Sequence, residues 1–219
     1  MTEGGWPALL RRQRGVVEAV GRTMNDVAGW LFVVCALFVS FDVLARKFFS
    51  VSSRATVEIT GYMLAFGIAW GLADALTTRA HIRVDVLVSR MPLRLRVFMH
   101  ALALAFLVTL AFLFAWRGWA VVRESWEFGA RDSSALTIPL VVPQGLWVVG
   151  ITVFFVVAVA LFVEALTLLA LRRWSDVDQL FGPRTLIDEA DEAIEAAGLS
   201  RPAGGPTKRP GPASAKADA

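Results

Sequence analysis

The sequence predicts an all-α integral membrane protein with four transmembrane helices, both termini cytoplasmic, and an amphipathic cytoplasmic connection between helices 2 and 3. Three observations carry this. The 219 residues are 56% hydrophobic and only 19% charged, with 17 glycines besides, whereas soluble domains are roughly 45–50% apolar with glycine included. The apolar residues are collected into four runs, Val27–Ala45, Ile59–Thr78, Val97–Trp116 and Gly145–Leu171. None of the nine prolines falls inside a run. A helix needs about 20 mostly apolar residues to cross the bilayer core, and a spanning backbone must satisfy its own hydrogen bonds. A chain this short could not bury four such runs in a soluble core.

Residues 1–26 form a polar, basic cytoplasmic lead. Asn25 and Asp26 stand where a cap would start helix 1. The first run is too long for a signal-peptide core, and Phe41-Asp42-Val43 offers no small-residue cleavage site, so it is expected to be retained. Helix 2 is interrupted only by Asp74 and carries Gly67, Gly71 and Ala75 at a spacing of four. Such a stripe of small residues lets a neighbouring helix come close.

The connection from Arg79 to Met91 places Arg79, Arg83 and Arg90 on one helical face and Ala80, Val84, Leu87 and Val88 on another. That pattern suits a helix lying in the cytoplasmic membrane interface. Pro92 suits the first turn of helix 3, which contains His100. Val121–Phe128 extends that helix beyond the membrane, and Gly129 ends it. The apolar stretch Ile138–Pro143 then leads into helix 4. It either meets a partner or folds back onto the helices. Helix 4 holds Glu164, two turns from Arg172. The four-helix membrane domain thus covers 27–173, and nearly all the apolar content builds one compact bundle. Residues 174–219 read as a largely disordered cytoplasmic tail, acidic at Asp188, Glu189, Asp191, Glu192 and Glu195 and then rich in Pro and Gly.

Orientation follows from Lys and Arg near the spans. One side carries 11, in the lead, the helix 2–3 connection and the end of helix 4, and the other carries 6. The richer side is cytoplasmic. The net charge of +3 is therefore a topology signal and not a nucleic-acid footprint. Trp30 and Trp174 fall near the cytoplasmic edges, and Trp116, Trp119 and Trp147 near the outer ones.

Ionisable groups are expensive in lipid and are the natural places to look for function. Asp42 and Arg46 are four apart at the outer end of helix 1, and Glu58 opens helix 2 at the same level. These three are expected to form one ionic cluster, as an interface lock. Asp74, His81, His100 and Glu164 lie at the inner side, with no ionisable residue between the two sets on helix 1. That argues against a proton relay. The lone Cys35 permits neither an internal disulfide nor a cysteine metal site. Phosphate loops, paired-His zinc motifs and nucleophile elbows are missing, so no enzyme, metal or cofactor is expected. One alternative is a haem-binding membrane anchor of a redox enzyme, ligated by His81 and His100.

The four-run hydropathy, Asp42-x-x-x-Arg46, Glu58, and above all His81-Ile82-Arg83-Val84-Asp85-Val86-Leu87 resemble the small membrane subunit, DctQ type, of tripartite ATP-independent periplasmic (TRAP) transporters. Leu136-Thr137-Ile138-Pro139 and Gly145 also resemble that family, over roughly residues 25–173. The resemblance implies an accessory subunit of a secondary transporter in the bacterial inner membrane. A large membrane permease subunit carries the substrate and sodium sites, and a periplasmic solute-binding protein delivers a small organic acid for symport. The small subunit packs beside the large one in the lipid and scaffolds it. Asp42, Arg46, Glu58, His81, Arg83 and Asp85 are then the interface or structural ionic residues, and Gly67, Gly71 and Ala75 the packing stripe.

Overall fold

Four long helices carry the fold of the computed structural model: α1 Trp6–Phe49, α2 Thr56–Thr77, α3 Leu93–Glu127 and α4 Val141–Ala170. The described residues are 6–50, 55–78, 91–133 and 137–172, with 174, 177 and 194; for 6–12 the description stops at the backbone. All four helices are long and apolar enough to cross a membrane.

The helices keep the predicted order but not all the predicted ends. The largest difference is at α1, which starts at Trp6 instead of Val27. Asn25 and Asp26 are therefore interior residues and cap nothing. The reason is a buried seam. Gly21, Ala28, Cys35 and Asp42 recur at seven-residue spacing and are all buried, with Met24 between the first two. A seam with that period holds one face of a helix against a neighbour. It crosses the polar–apolar border without a break, so the helix does too. At 1.5 Å per residue α1 is ~66 Å long, about twice the bilayer core. Ser50 follows it in a left-handed conformation (φ 53°).

α2 stops where three donors converge on the Asp74 carbonyl: the Thr78 N–H at 2.9 Å and the Thr77 and Thr78 hydroxyls at 3.0 and 2.7 Å. Pro92 immediately precedes α3, with extended backbone (ψ 145°). α3 runs through the predicted extension to Glu127 and ends at Gly129, whose φ is +57°. The Gly129 N–H donates to the Trp126 carbonyl and the Ala130 N–H to the Ser125 carbonyl, at 3.2 and 2.9 Å. This is the paired closure that a left-handed glycine permits. α4 begins at Val141, four residues before Gly145. Pro143 fits its first turn because the N–H groups there have no helical acceptor.

In space the helices form an open row, α1–α2–α4–α3. α1 packs on α2, α2 on α4 and α4 on α3, while α1 reaches α4 at few positions. The expected compact bundle is thus replaced by a layer with α1 and α3 at its edges. Lipid removes the penalty for leaving apolar helix faces outward. α1 exposes Trp30, Leu37, Phe41 and Phe48, and α3 exposes Phe98, Phe106, Leu110 and Trp116. α4 is the most buried helix and α1 the least. The main core joins Ala73 and Leu76 of α2, Val97, Leu104 and Ala111 of α3, and Phe154, Val157, Ala158, Leu161, Ala165 and Leu168 of α4. Val177, beyond the expected border of the membrane domain, belongs to the same core.

Candidate functional site

The chemistry-bearing residues gather at the two ends of the row. At the end formed by the close of α1 and the start of α2, Arg46 Nη2 donates to Asp42 Oδ2 at 2.6 Å. One helical turn separates them, so the pair forms within α1. The Asp42 side chain is only 3% exposed, in the buried seam, while that of Arg46 is 52% exposed. A carboxylate taken out of water this far needs a cation or strong donors. Glu58 lies in the first turn of α2 but forms no ion pair with Arg46; its Oε2 is enclosed and accepts no hydrogen bond. Of the three residues expected in one ionic cluster, the structure thus shows the Asp42–Arg46 pair.

One turn further along α2, the Tyr62 hydroxyl donates to Asp132 Oδ2 at 2.6 Å. Asp132 sits in the α3–α4 connection, which pairs with itself. The Asp132 N–H donates to the Ile138 carbonyl at 2.9 Å and the Leu140 N–H to the Ala130 carbonyl at 3.0 Å. Arg131 and Pro139 form an antiparallel bridge there. The apolar stretch before α4 is thus folded back into a small hairpin-like loop and held to α2. Sequence inspection missed Tyr62, although it is the single tyrosine of the chain. Nothing local points from it to an acid 70 residues away.

The stripe on α2 faces α1. A Cβ on Gly67 would lie 2.6 Å from the Phe32 ring, and one on Gly71 would lie 3.5 Å from the Asn25 side chain. Ala75 continues the stripe, half-buried. A second close approach, unmarked by any spacing, occurs at Gly150 of α4. A Cβ there would lie 2.6 Å from Trp70 and 2.9 Å from the Ala69 backbone. Beside it the Trp70 indole N–H donates to the Leu146 carbonyl at 3.0 Å. α3 is joined to α4 in the same manner, by Trp119 donating to the Thr152 hydroxyl at 3.0 Å.

At the opposite end, Glu164 of α4 meets Arg14 at 3.7 Å, and Arg14 also donates to Glu18 at 2.9 Å. The partner of Glu164 is thus a residue of the N-terminal lead. His100 is buried in α3. His81, Arg83 and Asp85, together with most of the predicted interfacial helix, lie outside the described residues. Between the two ends the packed interior is Ala69, Ala73, Ala111, Ala115, Ile151, Phe154, Val157 and Ala158. These packed side chains carry no ionisable group. Among the described residues no three His, Cys, Asp or Glu side chains are placed to share a metal.

No curated protein and no solved structure matches the chain. The family model described as "Tripartite ATP-independent periplasmic transporters, DctQ component" matches residues 35–168. That stretch runs from the middle of α1 almost to the end of α4 and includes Asp42, Arg46, Glu58, Tyr62 and Asp132. With more than half of its length matched and four helices able to span the bilayer, the chain belongs to the DctQ family, the small multi-pass inner-membrane subunits of TRAP transporters.

Proposed function

We propose that this chain scaffolds the large permease subunit of its transporter, for ion-coupled uptake of a small organic acid delivered by a periplasmic solute-binding protein. The DctQ family works with both of those partners. The observation that carries the scaffolding role is the separation of charge. Ionisable groups stand at the two ends of the row, and small and apolar side chains fill the space between. Such a chain is suited to packing and unsuited to conducting an ion. The outward apolar faces of α1 and α3 supply surface for the large subunit and for lipid. Family membership in a transport system gives the haem-anchor alternative no support.

The excess of Arg on one side supports cytoplasmic termini. The Asp42–Arg46 pair and the loop tied down by Tyr62 then face the periplasm, where the solute-binding protein arrives. His81, Arg83 and Asp85 fall on the cytoplasmic side. Copurification from native membranes tests this reading. The tagged chain is expected to bring down a large polytopic partner, and its deletion to abolish uptake. Full uptake in the deletion strain would refute it.

A further inference from the structure

α1 outlasts its partner. α2 ends at Thr77, and close to that end it meets Gly21 of α1, where a Cβ would lie 3.3 Å from the Asp74 backbone. α1 extends about four turns further back, to Trp6. A polar helix end of that length frays unless something holds it.

Two things hold it. One is polar: Arg14 reaches Glu164 of α4 at 3.7 Å, with side-chain exposures of 26% and 13%. The other is apolar. Val17 packs against the core cluster that contains Leu76, Val97, Leu168 and Val177, and Trp174 packs against the same cluster. Val177 is 1% exposed although it lies beyond the end of α4. Trp174 and Val177 therefore lie back at the core after the last spanning helix.

We propose that Trp174 and Val177 form a strap which, with the Arg14–Glu164 pair, fixes the N-terminal half of α1 against α4. The strap belongs to this chain's extensions. Arg14, Val17, Trp174 and Val177 all lie outside the family-matched residues 35–168, whereas the residues they pack on, Leu76, Val97, Glu164 and Leu168, lie within them. Because α1 is a single unbroken helix, the strap also sets the tilt of the segment that ends at Asp42 and Arg46. It does not depend on the transport role.

Hydrogen exchange on the full chain in lipid nanodiscs tests the strap. In Val177→Asp, amides of residues 13–24 are expected to exchange at least about tenfold faster, while those around the Ala69–Gly150 crossing stay unchanged. Glu164→Gln keeps the side-chain shape and removes the charge; it is expected to accelerate the same segment about threefold. It carries the test if the aspartate variant does not fold. Unchanged exchange at 13–24 overturns the proposal, and so does equal acceleration at the crossing, which would make Val177 an ordinary core residue.

Discussion

Tyr62 and Asp132, 70 residues apart in sequence, share a hydrogen bond of 2.6 Å that fastens the α3–α4 loop to α2. α2 and α3 have no extensive helix–helix packing of their own. This contact therefore does locally what packing does elsewhere. A hydrogen bond to a charged acceptor contributes about 1.5–3 kcal/mol.

Tyr62→Phe removes that bond and keeps the ring. Faster amide exchange is expected at Ala130, Asp132 and Leu140, with the helices unaffected. Uptake that depends on the solute-binding protein is expected to fall while assembly with the large subunit persists. Loop exchange identical to wild type would mean that the hairpin stands without its tether.

Gly67 and Gly150 both sit at close approaches, but what they face differs. At Gly67 the obstacle is the far end of the Phe32 side chain; at Gly150 it includes the Ala69 backbone. A ring can turn, whereas a packed backbone cannot. Gly150→Ala is expected to cost about 1–3 kcal/mol as overpacking. Gly67→Ala is expected to cost less, offset by the roughly 1 kcal/mol helix preference of Ala over Gly. Thermal unfolding in detergent ranks the two, and the reverse order would contradict the packing described.

Arg46 is the exposed half of its pair, so removing it leaves Asp42 buried. Arg46→Gln is expected to cost about 1–3 kcal/mol, because Asp42 keeps its burial and loses the charge of Arg46. Arg46→Lys is expected to recover part of this. Charge reversal at Arg46 or at Glu58 is expected to reduce copurification with the large subunit. Intact assembly with altered transport kinetics alone would place these residues in the transport step and not at an interface.

Topology has a direct check. In a Cys35→Ser background, Ser50→Cys is expected to react with an impermeant maleimide added to whole periplasm-exposed cells. Arg172→Cys is expected to react only after permeabilisation. The opposite pattern would invert the chain.

Much of this was legible in the sequence, and the exceptions have physical causes. Run length alone gave the four helices, and Gly129 marked the end of α3, because a left-handed residue at a helix end is a local requirement. The start of α1 was illegible from polarity, since the seam from Gly21 to Asp42 ignores the border between polar and apolar sequence. The Gly67–Gly71 stripe could be read from its spacing. Gly150 could not, because no small residue stands four positions before or after it. Asp42 and Arg46 are one turn apart and were paired correctly. Tyr62 with Asp132 and Arg14 with Glu164 depend on which helices lie side by side, which no local pattern records. Val177 was hidden in a segment whose later composition is that of a tail.

The central claim is that this subunit supports transport without performing it. Uptake of organic acid into proteoliposomes tests that claim, with purified large subunit and solute-binding protein present, and with this chain added or omitted. Uptake is expected only when all three are present, with none from this chain alone. Undiminished uptake without it, or uptake by this chain in the absence of the large subunit, would contradict the account.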